Sequence, residues 1–189
     1  MTAQALSGGF SNPPHQSSHA FRAILESFAR PGTLLTIRGA QPPAPLSVAA
    51  GTALLTLADG TTPVHLAGDA DCQPVRDWIT FHIGAPLVAP QQAMFAIGRW
   101  ESLAPLSRFH IGAPDYPDRA ATLIVLMDGL SNSGAHLTGP GIATKTLLSL
   151  PEIAAFQDNA ARFPLGLDFL FVAGNRVAGL PRSTKVEGA

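Results

Sequence analysis

The sequence predicts an α/β fold: a single domain of three layers, with a mixed β-sheet flanked by helices. Three observations carry this. Apolar residues recur at helical spacing in two separate stretches, at Phe21, Ile24, Leu25 and Phe28 and at Val75, Trp78, Ile79 and His82. The continuous apolar run at 123–127 suits a strand buried on both faces. Helical and strand segments also interleave without an internal repeat and end in a hairpin, as in a sheet covered by helices on both sides. A length of 189 residues suits one domain with a sizeable core.

Residues 1–14, rich in Ser, Gly and Pro, read as a flexible lead, and 15–189 as the single α/β domain. The first ten residues have no positive region and no apolar stretch, so no signal peptide is expected. The first helix follows, capped by Ser17 or Ser18 and stopped by Arg30-Pro31-Gly32. Residues 33–38 read as a short strand and 41–45 as a proline-rich loop. Residues 47–58 read as a helix capped by Ser47 and ended by Asp59-Gly60, although 54–57 would also suit a strand. A strand at 63–67 precedes the second amphipathic helix, with Asp71 as its cap and Pro74 in its first turn. Further along come a strand at 93–97, a helix at 101–109 and the buried strand at 123–127. Strands at 135–138 and 142–148 flank Gly139-Pro140-Gly141, and a helix at 152–162 follows Pro151. The hairpin pairs 167–173 with 176–180 across Gly174-Asn175, a fitting two-residue turn.

Composition excludes several function classes. Hydrophobic residues make up 46% and charged residues 13%, which argues against disorder and suggests surface covered by a partner. The net charge of -1, without a basic block, gives no support for binding nucleic acid or an anionic membrane. Cys72, the sole cysteine, rules out an intramolecular disulfide and multi-thiolate zinc sites. No run approaches the roughly 20 apolar residues that span a bilayer. A soluble cytoplasmic protein is the expectation.

No phosphate-loop, dinucleotide, zinc-protease or nucleophile-elbow motif is present. Gly139-Pro140-Gly141 reads as a turn, since its central proline removes an N–H. His15 and His19 have metal-ligand spacing but no evident third ligand, so no metal is expected. Lys145 could form a Schiff base with a carbonyl cofactor, yet an exposed lysine on a strand is the simpler reading.

Four residues stand as substrate- or partner-binding candidates. His82 falls on an apolar helix face near a helix C-terminus, where it could bond a carbonyl or take part in chemistry. Asp168 enters an apolar strand and needs donors or a cation, either as a brace or as a base. Arg182 and Thr184 belong to the run Arg182-Ser183-Thr184-Lys185, whose donors suit an oxyanion or a subunit contact. If that run continues a strand, Arg182 and Thr184 share one face.

Several segments, taken in order, resemble one family. They are Gln16-x-x-His19-x-Phe21-Arg22-x-Ile24-Leu25 ending at Arg30-Pro31-Gly32, then Leu54-Leu55-Thr56-Leu57-Ala58-Asp59 with Thr62-Pro63-Val64. Phe81-His82-x-x-Ala85-Pro86-Leu87-Val88 and Leu137-Thr138-Gly139-Pro140-Gly141-Ile142 come next. Phe163-Pro164-Leu165-Gly166-x-Asp168 and Pro181-Arg182-Ser183-Thr184 close the set. The chain thus resembles the H subunit of the bacterial carbon–phosphorus lyase system. The resemblance implies a part in transferring a phosphonate onto ATP with displacement of adenine, as a component of the phosphonate transferase other than its catalytic subunit. It implies partners of the G, I and J types, a homodimer when isolated, and ATP or a phosphonate as a candidate ligand. It also implies a fold similar to the large domain of pyridoxal-phosphate-dependent transferases without the cofactor. It supplies no catalytic residue.

Overall fold

The computed structural model describes residues 6–188. In chain order it forms α1 (Pro13–Ala29), β1 (Leu35–Thr36), α2 (Val48–Leu57), β2 (Val64–Leu66) and α3 (Gln73–His82). Next come β3 (Phe95–Arg99), α4 (Trp100–Leu103), β4 (Thr122–Leu126), β5 (Ala135–Thr138) and β6 (Thr146–Leu148). The chain ends with α5 (Ala154–Ala160), β7 (Asp168–Ala173), β8 (Arg176–Leu180) and β9 (Lys185–Glu187). Helices and a six-stranded mixed sheet make this an α/β structure. The strand order is β1-β8-β7-β4-β3-β2, with β2, β3, β4 and β7 parallel and β8 and β1 antiparallel to their neighbours.

Strand composition explains the layering. In β7, Phe169 and Phe171 point to one face while Leu170 and Val172 point to the other, and all four are buried. β4 repeats the pattern with Leu123 and Val125 against Ile124. One face packs on α1, α2 and α3 through Ile24, Leu54, Trp78 and Ile79. The other packs on Trp100, Leu103 and Phe156. A second, antiparallel sheet in the order β6-β5-β9 joins this second face with Leu137, Leu148 and Val186. Each large side chain buried in this way contributes about 1.5–3 kcal/mol relative to exposure.

Several sequence expectations hold. Ser47 caps α2, its Oγ accepting the Ala50 N–H at 3.2 Å. Val75, Trp78 and Ile79 are buried on α3, and Pro74 lies in its first turn. β7 and β8 form the hairpin, with Gly174 at φ +57°. The Asp59 carboxylate after α2 accepts from the hydroxyl and N–H of Thr61 and from the Thr62 hydroxyl. These bonds, the Thr61 hydroxyl first, hold its carboxyl below the usual range.

Other expectations are corrected. α1 starts at Pro13, with Asn12 and not Ser17 or Ser18 at the cap position. Pro13 and Pro14 lack the N–H groups that a first turn leaves unbonded, so they suit that place. Its expected apolar face is also rotated: Ala20, Ile24 and Ser27 are buried, while Phe21 and Leu25 are 51% and 57% exposed. The reason is close packing. A Cβ on Gly179 of β8 would come within 2.8 Å of the Phe28 nitrogen and the Ser27 carbonyl carbon, so the α1 backbone at Ser27 and Phe28 lies directly against the strand. The helix expected at 101–109 is a single turn, α4, followed by a 3-10 turn at Leu106–Arg108, because Pro105 interrupts it. Cys72, not Asp71, precedes α3 at the cap, and Asp71 instead pairs with Arg76. The strands expected at 33–38 and 142–148 shorten to β1 and β6, and the helix at 152–162 to α5.

Residues 1–5 of the expected lead lie outside the described residues. Beyond them, the Gly8 carbonyl accepts the Gln41 N–H at 2.8 Å, and the Ser7 carbonyl accepts from Trp78 Nε1 at 3.1 Å.

Two outcomes follow from this packing. Gly179→Ala is expected to lower stability by about 1–3 kcal/mol in urea denaturation, because backbone cannot move aside as a side-chain tip can. Gly188→Ala, which would meet nothing within 4 Å, is the neutral control. Asp59 has a folded pKa below its unfolded one, so its contribution is present above the ordinary carboxylate range and fades as pH falls through the lowered value. The stability gap between wild type and Asp59→Asn should therefore narrow on acidification, as thermal melts across pH would show.

Candidate functional site

The four sequence candidates divide between two places: Asp168, Arg182 and Thr184 gather around the turn after β8, and His82 lies elsewhere. Asp168 opens β7. After β8 the chain turns at Pro181, and the Thr184 N–H donates to the Pro181 carbonyl at 2.9 Å. Arg182 and Ser183 therefore occupy a turn, and the strand alternation expected for 182–185 does not apply; β9 begins only at Lys185. The turn carries Arg182 over the start of β7. Asp168 Oδ1 accepts the Arg182 backbone N–H at 2.8 Å and its Nε–H at 3.1 Å, and Oδ2 accepts from Nη2. Arg182 Nη1 donates to the Pro117 carbonyl. The side chains of Arg182 and Asp168 are 12% and 23% exposed, so this bidentate pair is largely screened from water.

All three guanidinium nitrogens of Arg182 thus have protein partners. The pair ties the first residue of β7 to the turn after β8 and to the Pro117 segment. Thr184 is buried, and its Oγ1 has no hydrogen-bond partner among the described residues. Lys185 is exposed. His82 lies apart from this group. Its Nε2 donates to the Ser7 carbonyl at 3.1 Å, and its ring packs beside Trp78 and edge-on to Phe81.

Strand polarity gives these positions meaning. In open α/β sheets, ligands bind beyond the carboxyl ends of the parallel strands. Asp168 marks the amino end of β7, so its pair with Arg182 closes the opposite edge. The carboxyl ends of β3, β4 and β7 instead border a cavity of about 70 Å³ lined by Arg99, Leu126, Met127 and Val172, with Ser47 and Asp69 on its rim. Arg99 Nη2 donates to Asp128 Oδ1 at 2.9 Å. That hydrogen bond, and then the arginine charge, hold the Asp128 carboxyl below its usual range. Both side chains are open to water, so Arg99 can exchange its partner for a small anion. Sequence reading passed over Arg99 and Asp128. The signal was a charged residue just after two buried strand runs, in Gly98-Arg99 and Met127-Asp128.

A larger cavity, about 230 Å³, opens on the second face between Trp100, Leu106, Ile111 and Ala155. Trp100 Nε1 donates to Glu152 Oε2 at 3.0 Å on its rim. Its walls come from three separate segments, which no local motif could announce. Gly139-Pro140-Gly141 is a turn, with the Ile142 N–H donating to the Gly139 carbonyl at 3.2 Å. Lys145 is exposed just before β6. Among the described residues, no group of three or more His, Cys, Asp or Glu converges as a metal site.

Comparison with known proteins agrees with the ordered segments. The family model described as bacterial phosphonate metabolism protein (PhnH) matches residues 8–187. The alpha-D-ribose 1-methylphosphonate 5-triphosphate synthase subunit PhnH of Rhizobium meliloti (strain 1021) is 36% identical over 202 residues, covering 99% of each chain. HtxG of Stutzerimonas stutzeri, whose name assigns it provisionally as a C-P lyase subunit protein, is 27% identical over 184 residues, covering 92% of this chain and 86% of its own.

The Asp168–Arg182 geometry gives a direct expectation. Arg182→Ala should cost about 2–3 kcal/mol of folding stability, because a screened carboxylate loses its charged partner. Arg182→Lys should recover only part of this, since an ammonium cannot replace the two-pronged contact. Urea denaturation of both variants measures the difference.

Proposed function

The chain belongs to the PhnH family of bacterial phosphonate metabolism proteins, and on that ground we propose that it is a subunit of the carbon–phosphorus lyase core complex. In this role it is required for transfer of a phosphonate onto ATP, with displacement of adenine to give a ribose 1-phosphonate 5-triphosphate. The observation that carries the proposal is the 36% identity to the Rhizobium meliloti synthase subunit over 99% of both chains. Such coverage leaves room for the same architecture throughout, not merely a shared segment.

The subunit acts by assembly. It joins partners of the G, I and J types in the cytoplasm and is a homodimer when isolated. Exposed large apolar side chains on several segments, including Phe21, Leu25, Phe81 and Phe163, supply contact area of the kind that partners cover. Asp168 and Arg182 brace the edge near the Pro181 turn. His82 supports neighbouring backbone through its bond to the Ser7 carbonyl, and Thr184 closes the Pro181 turn through its main-chain N–H. Residues 15–189 act as one folded unit, related in fold to the large domain of pyridoxal-phosphate-dependent transferases and working without that cofactor. The parallel core closed by antiparallel β8 supports that kinship.

Arg99 favours a second reading, in which the subunit has a phosphate or phosphonate site of its own at the carboxyl end of the sheet. Two measurements separate the readings. Co-expressed with the other core subunits, the chain is expected to co-purify with them under native conditions; failure to associate with any of them would defeat the assembly role. Calorimetry of the isolated subunit with ATP and methylphosphonate is expected to show no saturable heat. Saturable heat that disappears in Arg99→Ala would instead establish the second reading.

A further inference from the structure

The first turns of α1 hold two side chains that none of the sites above uses. His15 and His19 are exposed and four residues apart on the helix, a spacing that sets one side chain over the other. Their Nε2 atoms approach to 3.2 Å, with ring centroids 4.4 Å apart and planes inclined at 54°. Two neutral imidazoles can share one hydrogen at this distance, Nε2–H of one ring donating to the bare Nε2 of the other. The distance also matches the bite of a chelate. With metal–nitrogen bonds of about 2.0–2.1 Å, two ligand nitrogens lie roughly 3.3 Å apart at a tetrahedral angle and roughly 2.9 Å apart at a right angle.

We propose that His15 and His19 form a bidentate site for a borderline divalent cation such as Zn²⁺, Cu²⁺ or Ni²⁺. Imidazole donors select these ions, whereas Mg²⁺ and Ca²⁺ require oxygen ligands. The cation takes the place of the shared hydrogen. That hydrogen moves to Nδ1 of its own ring, leaving both Nε2 lone pairs for the metal and releasing no net proton from the neutral pair. Helical backbone holds the two rings in register before the ion arrives, which lowers the ordering needed for binding.

The rings line an open groove between α1 and the outer side of β1, together with Gln16, Thr36, Ile37 and Arg38. The Gln16 side-chain oxygen already accepts from the Asn12 N–H at 2.8 Å. Arg38 is the one charged side chain among the groove-lining residues, and no carboxylate is among them. The remaining coordination positions therefore take water or an external anion. This makes the pair an open accessory chelate, unlike a closed four-ligand structural site.

The test uses the full-length protein after removal of adventitious metal with a chelator. Calorimetric titration with Zn²⁺ is expected to show one ion per chain, with affinity falling roughly tenfold or more in His15→Ala and in His19→Ala. Electron paramagnetic resonance of the Cu²⁺-loaded protein should show two coordinated nitrogens, reduced to one in either variant. Zn²⁺ should also raise the melting temperature of the wild type but not of the variants, and Mg²⁺ should leave all three unchanged. Both side chains are exposed, and far-UV circular dichroism checks that the variants keep their helix content. Equal Zn²⁺ affinity in wild type and either variant would place the ion on other histidines and overturn the proposal. Absence of saturable Zn²⁺ binding to the wild type would overturn it as well.

Discussion

The structure depends on strands that must bury apolar side chains on both faces. Phe169 and Phe171 of β7 cannot share a side with Leu170 and Val172, so β7 is stable only between two covering layers. The two layers are built differently. Three helices cover one face. On the other, α4 and α5 are too short to cover the aromatic group of Trp100, Phe156, Phe169 and Phe171, and the sheet β6-β5-β9 extends the cover. Gln157 of α5 donates to the Val186 carbonyl of β9, which links helix and small sheet into one layer.

Double burial also sets how the helices sit. α1 presses so closely on β8 that its sheet-facing stripe is limited to Ala20, Ile24 and Ser27, and the Ser27 hydroxyl satisfies itself on the Ile24 carbonyl at 2.7 Å. Phe21 and Leu25 consequently point outward. An amphipathic pattern that looks like a core face thus becomes exposed apolar surface through backbone proximity to Gly179. This is a physical link between one glycine in a strand and the area the molecule can offer to a partner.

Legibility in the sequence followed the range of the interactions. The β7–β8 hairpin, the Ser47 cap and the Val75, Trp78 and Ile79 face were readable because each is decided within a few residues. The turn at Gly139-Pro140-Gly141 was readable for the same reason. The orientation of α1 was not, since it depends on Gly179, more than a hundred residues away in sequence. The partners of Asp168 were anticipated in kind, hydrogen-bond donors or a cation, but not that Arg182 would supply both. Arg99 escaped attention because its position matters only once strand order and direction are known. The cavity beside Trp100 drew on three distant segments and had no local signature.

The two ends of the parallel strands have opposite characters, and this bears on how an α/β subunit can be built into a larger machine. At the amino end, the Asp168–Arg182 pair is shielded and every guanidinium nitrogen is bonded within the chain. Opening it to admit a ligand would expose a carboxylate without its cation, so substrate competes poorly there. At the carboxyl end, Arg99 and Asp128 remain in water and exchange partners at little cost. A phosphate, a carboxylate of another subunit or Asp128 itself can take the same guanidinium. The cavity beside Arg99, about 70 Å³, is too small to enclose a nucleoside triphosphate. Strand polarity and side-chain exposure therefore divide the sheet: the amino end holds the fold closed, and the carboxyl end keeps its charged groups free to exchange partners.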